Sequence, residues 1–477
     1  MTYRHGVYAS EVPTSIVPPA RVSAGIPVVF GTAPVHLAET VGNVNKPVLC
    51  YSYAEAVQQL GYGATWSDWT LCEFMKAFFV LFNVAPAIFV NVFDPAVHKT
   101  GVTDEEKAVA NDRVTLDHAG LVADPVVKNT AGVTTFTKDT DYTVDRATGV
   151  IARIVTGAMA ADEGIKISYD YADPAKVTPA DIIGGVDGGT GALSGLELLN
   201  QVYPMFGLVP GQVVAPGWSH DPGVAAVMHA KSGSINGIFK AISIVDIDSG
   251  TVNRYTDVPS VKNTNNLTDE QLLVCWPKAK LGDDEFWKSS QLAGLICRTD
   301  SENDDIPYAS SSNKNYQMSS CVANGEEIWL GLEQANYLNG QGVITALNFV
   351  GGWKSWGNRT GAYPGVTDVK DTFYMVRRMF NWIANSLILT FWQKVDFPTN
   401  RRLIETIVDS GNIWLNGLAA RQYILGGRVE FQADENPVTD VMDGIINFHV
   451  YVTPPSPARE IGFILEYDPA YISSLFG

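Results

Sequence analysis

Three residue types of a hydrolytic triad stand side by side at Ser219-His220-Asp221. A serine nucleophile needs its histidine base and its aspartate close in space, and neighbours in sequence rarely point at one another. The chain has no Gly-x-Ser-x-Gly turn, which exposes the serine of an α/β hydrolase. The seven histidines never form the His-Glu-x-x-His pair of a zinc protease. These residues therefore indicate surface or structural histidines.

A glycine-rich run from Gly184 to Gly191 precedes a predicted helix. Backbone N–H groups at the start of a helix can bind phosphate, which is the functional interpretation of such a run. No Lys-Ser/Thr pair follows at the spacing of a P-loop, and the dinucleotide-binding fingerprint is incomplete. The run is therefore expected to be a flexible loop.

The five cysteines are an odd number and form no Cys-x-x-Cys pair. This pattern favours reduced, mostly buried thiols over a disulfide framework or a zinc site. No cofactor is predicted. The cysteines are Cys50, Cys72, Cys275, Cys297 and Cys321.

The composition describes a large globular chain. Its 477 residues are enough for two to four domains, and 46% of them are apolar. The longest apolar run, Phe74 to Val84, is interrupted by Lys76 and Asn83, so no membrane insertion is expected. The amino terminus lacks the pattern of a signal peptide, which predicts synthesis in the cytoplasm.

The net charge of −18 argues against nonspecific binding to nucleic acid, which needs clustered basic residues. The charge is uneven along the chain. Residues 350–430 contain ten Lys and Arg against six Asp and Glu, a net charge of +4, which leaves −22 for the remainder. An acidic partner is therefore expected to dock on this mildly basic region.

The stretch Gly351–Thr360 combines two tryptophans and an arginine with three glycines. Glycine allows tight backbone turns, and tryptophan brings a large apolar area. The guanidinium of Arg359 suits a fixed carboxylate or carbonyl partner. The alternative interpretation is a well-packed loop that joins two domains.

Strands and helices alternate in the first half of the chain, which predicts an α/β domain. Ser52 is expected to cap the helix Ser52–Leu60, with Glu55 at the spacing of a capping box. The polar stretch Thr299–Tyr316 predicts a mobile loop. The remaining predicted elements are strands at 26–31, 87–93, 212–215, 238–247 and 271–276, and helices at 69–82, 193–203, 224–231 and 287–297.

Residues 98–178 alternate polar and apolar side chains, with a strong turn at 145–149. This pattern predicts a small antiparallel β-sandwich inserted into the α/β domain. Towards the carboxyl end, helices are predicted at 370–392 and 399–418, followed by β-runs at 422–431 and 445–452.

Both ends of the chain are rich in proline and contain a short β-capable segment. Unpaired strands at both ends and a sheet near the carboxyl end favour polymerisation by strand addition. Such contacts join unlike surfaces, so they build rings or open helices.

Three motifs in this order resemble contractile phage tail sheath proteins. They are His5-Gly6-Val7-Tyr8 with Glu11-Val12-Pro13, then Trp356-Gly357-Asn358-Arg359-Thr360 after a Gly-Trp pair, and finally Phe448 to Pro455. The resemblance covers most of the chain except residues 98–178, which are similar to surface decorations of phage structural proteins. The family signature falls on Trp353, Trp356, Gly357, Asn358, Arg359 and Thr360.

The resemblance implies a structural subunit and no enzyme. Hexameric rings would stack around a tail tube and contract to drive the tube through the target envelope. The implied partners are other copies, the tail tube protein, and baseplate and tail terminator proteins, with no nucleic acid. The implied location is the virion tail sheath, assembled in the bacterial cytoplasm. The alternative function is an α/β hydrolase-like or nucleotide-dependent enzyme with a β accessory domain; a tube or adhesin subunit fits the two long helices poorly.

The predicted fold is a multidomain α/β (α+β) chain. Its expected parts are an amino-terminal arm (1–25), an α/β core (26–97 with 179–350), an inserted β-sandwich (98–178), a helix-plus-sheet domain (351–452) and a carboxyl-terminal arm (453–477). The resemblance assigns intersubunit arm strands to Val7, Tyr8, Val12, Ile461, Phe463 and Leu465. The implied tube-facing residues are Lys370, Arg377, Arg378, Arg401 and Arg402.

Overall fold

The computed structural model describes residues 20–21, 24–40 and 42–476. Two compact units make up the chain, residues 1–398 and residues 399–477. Among the described residues, every helix is too short or too polar to span a lipid bilayer.

An eight-stranded sheet forms the centre of the first unit. Its six inner strands are mutually parallel, and the strand at each edge is antiparallel to its neighbour. The inner strands are continuous apolar runs because helices cover both faces of a parallel sheet. In spatial order the strands are Trp353–Trp356, Val343–Asn348, Leu272–Cys275, Ile242–Asp246, Gln212–Val214, Pro27–Gly31, Ala87–Asn91 and Pro47–Cys50.

The helices of the first unit lie mainly between these strands in the sequence. The predicted cap is confirmed, because the hydroxyl of Ser52 accepts a hydrogen bond from Glu55 N. The α-helices are Tyr53–Leu60, Thr70–Met75, Pro179–Ile183, Leu199–Phe206, Pro222–Ser232, Val258–Thr264, Lys288–Ser301, Leu332–Asn339, Val369–Thr372 and Tyr374–Phe391. Thr70–Met75 continues into the π-helix Lys76–Leu81.

Smaller sheets complete the core of this unit. A four-stranded antiparallel sheet contains Asp284–Phe286, Lys278–Leu281, Ser320–Ala323 and Glu326–Ile328. Two-stranded pairs join Ala20–Arg21 to Val84–Ala85 and Gly185–Val186 to Leu193–Ser194.

The predicted loop at Thr299–Tyr316 begins three residues later than expected, at Glu302. The helix that begins at Lys288 continues to Ser301, and Asp300 is buried. Further on, Ile306 and Ser311 are buried, and Ser311 N donates to the hydroxyl of Tyr374 at 2.8 Å. Polar side chains in this stretch bond inside the protein, which composition alone does not reveal.

Residues 99–172 form two three-stranded antiparallel sheets around a hydrophobic core of their own. Leu121, Val127 and Ile167 are fully buried in this core. The first sheet contains Arg113–Thr115, Val150–Arg153 and Tyr142–Asp145; the second contains Lys99–Ala108, Gly164–Ala172 and Val126–Asn129. Two sheets over one core are the arrangement of a small β-sandwich.

The predicted domain boundary at residue 350/351 is wrong. Trp353–Trp356 pairs with Val343–Asn348 as an edge strand of the main sheet. Tyr374, Met375 and Val376 belong to the main hydrophobic core. The chain therefore leaves the first unit only after the helix Tyr374–Phe391.

The second unit is a helix packed on a two-stranded antiparallel sheet. The helix Arg401–Ala420 begins where the side chain of Asn400 accepts a hydrogen bond from Leu403 N at 2.9 Å. The strands are Gly426–Glu430 and His449–Thr453. A short helix, Val438–Met442, lies in their connection, and a 3-10 helix, Pro469–Phe476, follows the carboxyl-terminal segment.

Candidate functional site

Two tryptophans fix the edge strand of the main sheet. Trp353 is buried, and its Nε1 donates to Ser319 O at 2.7 Å while its ring lies 5.4 Å from that of Trp329. Trp356 Nε1 donates to the side chain of Asn336 at 2.9 Å. The strand is thereby tied to the small sheet on one side and to the helix Leu332–Asn339 on the other.

Gly357 follows this strand with φ of 140°. A Cβ atom at this position would lie 2.7 Å from the side-chain amide of Asn339 and 3.1 Å from Ile344 Cα. Both the backbone angle and the available space therefore require glycine.

Arg359 and Thr360 hold the beginning of the long helix. The guanidinium of Arg359 lies 3.8 Å from the ring centre of Phe373 and 4.4 Å from that of Tyr363. Its Nη1 donates to Thr372 Oγ1 at 2.9 Å. Two aromatic rings and a hydroxyl therefore lie around this guanidinium.

Backbone bonds complete this connection. Thr360 N donates to Thr372 O at 3.0 Å, and Thr360 Oγ1 donates to Asp371 O at 2.6 Å. Tyr374 N donates to Asn358 O at 3.2 Å. The segment Trp353–Thr360, called the signature segment below, therefore joins the sheet edge to the first turn of the helix Tyr374–Phe391.

Arg378 is buried, which corrects its assignment as a tube-facing residue. Its side chain is 4% exposed and forms a two-fold ion pair with Asp300, which is 1% exposed. One of the two bonds joins Arg378 Nη1 to Asp300 Oδ1 at 3.0 Å, and Arg378 Nη2 also bonds Asp300 Oδ2. Burial raises the pKa of Asp300, and the guanidinium opposes that shift. The sequence shows the apolar stripe of this helix, but it does not show that Asp300 is the buried acidic partner of Arg378.

The other four basic candidates differ in exposure. Lys370 and Arg377 both bond Asp371, at 2.9 and 3.1 Å, and the Arg377 side chain is largely buried. Arg401 is 90% exposed and pairs with Glu405, while Arg402 is exposed beside it. Much of the charge of the basic region is therefore neutralised locally, and an exposed basic surface remains at the start of the helix Arg401–Ala420.

Ser219, His220 and Asp221 have separate partners. Ser219 Oγ accepts from Asp246 N at 3.1 Å. His220 stacks in parallel on Trp287 with ring centres 5.2 Å apart, and burial lowers its pKa. Asp221 accepts hydrogen bonds from Gly223 N and Val224 N and caps a helix. The three side chains do not form a catalytic relay.

Ligands of open α/β sheets bind beyond the carboxyl ends of the strands, where the strand order reverses. In this sheet the reversal lies between Pro27–Gly31 and Gln212–Val214. Trp218 packs there, and its Nε1 lies 3.3 Å from the hydroxyl oxygen of Thr70. Side chains of the protein itself thus occupy the usual ligand position.

Two buried carboxylates flank this position at the start of the helix Lys288–Ser301. Glu73 accepts from Trp287 N at 2.7 Å, and Asp246 accepts from Ser289 N at 2.9 Å. Burial raises the pKa of Glu73 to about 8 and that of Asp246 to about 6. Both carboxylates bond backbone N–H groups of the protein, so they serve as internal caps.

The glycine-rich run forms the turn of a small hairpin. The side chain of Asp187 accepts hydrogen bonds from Gly189 N at 3.0 Å and Thr190 N at 2.6 Å. These are the backbone groups that a phosphate would need, and the carboxylate of the loop already holds them.

All five cysteines are buried, and burial raises the pKa of Cys50 and Cys72 to about 12. Residues 20–21, 24–40 and 42–476 contain no acidic, histidine or cysteine cluster suited to a metal.

The carboxyl-terminal segment is exposed. Ile461, Phe463 and Leu465 lie in a stretch without helix or strand, and the Phe463 side chain is 85% exposed. The amino-terminal candidates Val7, Tyr8 and Val12 lie outside the described residues.

A family profile described as "Protein of unknown function UCP028589" matches residues 83–180, which contain the inserted sandwich. Over 490 aligned residues the chain is 31% identical to the tail sheath protein of Burkholderia phage BcepMu. That match covers 100% of this chain and 99% of the phage protein. The chain belongs to the tail sheath protein family.

Solved structures agree with the sheath fold. A chain of the anti-feeding prophage baseplate has a TM-score of 0.59 at 14% identity, with 98% of this chain and 100% of that chain covered. The PVC sheath complex of an extracellular contractile injection system, in its contracted state, has a TM-score of 0.57 at 13% identity and 99% coverage of both chains. As a tail sheath protein, the chain is a structural subunit of a contractile sheath.

Sequence reasoning found the signature segment but missed the groups that it binds. Phe373 and Thr372 stand just before the long helix, where apolar periodicity assigns only a helix start. Asp300 lies in a polar stretch that composition assigns to a loop. Their partners are 13 or more residues away in the chain, so no local pattern connects them.

Proposed function

We propose that this sheath protein polymerises as hexameric rings that stack around a tail tube, and that the sheath contracts to drive the tube through a target envelope. Its partners are other copies, the tail tube protein, and baseplate and tail terminator proteins. The subunit works mechanically, without a catalytic centre or cofactor, on energy stored during assembly. It is part of the virion and assembles in the host cytoplasm.

The observation that carries this proposal is the exposed apolar segment at the carboxyl end. Ile464 and Leu465 are almost fully exposed next to Phe463. A run of large apolar side chains on a soluble protein marks a surface that another chain covers. An extended segment of this kind is suited to pair as a strand with the sheet of a neighbouring copy.

The two-stranded sheet of the second unit has two outer strand edges, and they differ in how open they are to an arriving arm. The side chain of Asn412 donates to Val429 O at 3.1 Å and accepts from Val429 N at 2.8 Å. This amide covers the outer edge of the strand Gly426–Glu430 at its centre. The strand His449–Thr453 is therefore the better acceptor for an arriving arm.

Assembly tests the arm proposal directly. Phe463→Asp with Leu465→Asp should leave a folded, soluble protein that makes no tubes in negative-stain micrographs. Val133→Asp is a matched control, because this exposed valine lies in the inserted sandwich. Deletion of residues 1–19 should also prevent long sheaths. Normal tubes from either arm variant would refute the proposed strand exchange.

Tube contact is proposed for the basic surface at Arg401 and Arg402. Individual exposed pairs contribute about 0–1 kcal/mol, but repetition over many rings sums their attraction. Reversal of both to glutamate should give sheath that assembles without tube or contracts early, while Arg113→Glu in the inserted sandwich should have no effect. Extended tails with the normal tube content would exclude this surface as the tube contact.

The inserted sandwich is proposed to lie on the outer surface and to be dispensable for contraction. Its own core and its closely spaced ends support this, because Asp173 N donates to His98 O at 3.0 Å. A short Gly/Ser linker can therefore replace residues 99–172. Contractile sheaths should still form; a folded variant that makes no rings would contradict the proposal.

A further inference from the structure

The second unit has an open groove at one end of its two-stranded sheet. The groove encloses about 400 Å³ between Leu425, Gly426 and Arg428 on one strand and Tyr451 and Thr453 on the other. Leu425 is 73% exposed at its rim. A Cβ atom added to Gly426 would meet no atom within 4 Å, so the glycine leaves the groove unfilled.

Two arginines make this end basic. Arg428 stacks on Tyr451, with 3.8 Å from its guanidinium carbon to the ring centre, and pairs with Glu430 at 2.6 Å. Arg421 lies beside Tyr423 at 5.4 Å and is exposed. Arg428 is therefore the charged residue in the lining of the groove, together with the apolar side chains of Leu425, Tyr451 and Val452, and Arg421 precedes Leu425 by four residues in the chain.

The opposite end of the same sheet carries a projecting connection, residues 432–447, called the knob below. Internal bonds hold its shape, because buried Asn436 donates to Gln432 O and Asn447 O and accepts from Asn447 N. A knob that is already ordered loses little conformational entropy when it binds.

The outer face of the knob is apolar and acidic. Val438 and Met442 are 75% and 83% exposed. The knob contains four acidic residues and no lysine or arginine, and Asp434 and Asp443 are exposed. Apolar anchors with a charged rim are typical of a protein interface, and the charge of this rim is opposite to that of the groove.

The two surfaces lie at opposite ends of one ladder. The pair Glu430–His449 stands at the knob end and the pair Gly426–Thr453 at the groove end. Four residues of strand separate them by about 13 Å. A knob cannot reach the groove of its own sheet across this distance without breaking the ladder, but it can reach that of another copy.

We propose that the knob of one copy inserts into the groove of the next copy, with Met442 as the apolar anchor and Asp434 and Asp443 facing Arg421 and Arg428. Because the two surfaces differ, the contact is head-to-tail and continues from copy to copy into a ring or helix. This inference rests on the proposed polymerisation and adds a contact separate from the arm strands.

Cross-linking tests the contact, since all five native cysteines are buried. Chains with Met442→Cys, mixed with chains with Gly426→Cys and mildly oxidised, should form covalent dimers. A chain with both changes should form a ladder of multimers. Met442→Cys with Gly417→Cys is the control and should stay monomeric on a denaturing gel; Gly417 also has open space but lies in the helix.

Blocking and charge exchange give independent readouts. Gly426→Val places side-chain atoms in the groove, where an added Cβ meets no atom within 4 Å, and should reduce tube formation at least tenfold, whereas Gly417→Ala should not. Asp434→Arg with Asp443→Arg should abolish assembly, and adding Arg421→Glu with Arg428→Glu should restore it.

Cross-links from Gly426→Cys to Phe463→Cys instead of Met442→Cys would show that an arm occupies the groove and would overturn the proposal. If wild-type chains make tubes but the Met442→Cys and Gly426→Cys chains form no cross-link, only this contact is refuted. If wild-type chains never make tubes, the proposed function is refuted.

Discussion

Replacing Arg378 with methionine removes a buried cation and keeps much of the buried length of the side chain. The remaining carboxylate of Asp300 is 1% exposed and loses its two-fold partner. Removal of one member of a buried ion pair costs about 3–5 kcal/mol, because an uncompensated charge stays in the core. For a unit of this size, at about 2 °C per kcal/mol, we expect the melting temperature to fall by about 6–10 °C.

The loss should depend on pH. Without Arg378, burial raises the folded-state pKa of Asp300 above its unfolded value of about 3.9. A carboxyl with a raised folded pKa favours folding below the unfolded pKa and loses that contribution as pH rises through the folded pKa. The Arg378→Met protein should therefore be nearest to wild type at about pH 4 and fall further behind as pH increases.

Urea denaturation of the unassembled protein, followed by tryptophan fluorescence, measures these differences. The double variant Arg378→Met with Asp300→Leu should recover most of the loss, since a buried pair replaced by apolar residues is often close to neutral. Arg402→Met is the matched control, and as an exposed change it should stay within about 0.5 kcal/mol. A loss below 1 kcal/mol for Arg378→Met, or no recovery in the double variant, would refute a buried structural pair and reopen the surface role.

Further changes test the other groups. Gly357→Ala should cost about 1–3 kcal/mol in urea denaturation because of its positive φ and its contact with Ile344; equal stability would contradict the required glycine. Glu73→Gln should gain stability relative to wild type as pH rises from about 4.5 to about 8, since the folded pKa of Glu73 is about 8 and wild type progressively loses the contribution of the bound proton over this range; a constant difference would argue against it. His220→Ala should leave tube assembly unchanged and cost at most about 1.5 kcal/mol of ring stacking, and a hydrolase activity abolished by this change would show a catalytic role.

The sequence predicted the α/β alternation and the inserted β-sheets because each depends on local periodicity. Phe373, Val376, Phe380 and Ile383 follow one another at three- and four-residue steps, so the long helix was visible without any partner. The prediction failed where a polar group is buried. Arg378 lies off the apolar stripe, so its charge predicts an exposed side chain. Only its ion pair with Asp300, 78 residues earlier, makes its burial possible.

The boundary at 350/351 failed for a related reason. Glycine pairs and a change of charge are typical of linkers, yet Gly351 and Gly352 form the turn between two paired strands. The signature segment was recognisable as residue types, but its function in the fold was not, since it acts through Thr372 and Phe373 on another element. Surfaces that need a second copy, such as the groove at Gly426, leave no periodic pattern at all.

The signature segment also determines how the protein carries load. The helix Tyr374–Phe391 leads directly into the residues that connect the two units, so tension along this connection acts on the bonds of this helix, from the pair Arg378–Asp300 to its first turn. There the bonds of Thr360 and the aromatic clasp around Arg359 pass it to the strand Trp353–Trp356. That strand pairs over its whole length with Val343–Asn348 and is pinned by two indole bonds. We therefore expect a pull along this connection to meet several bonds that must break together.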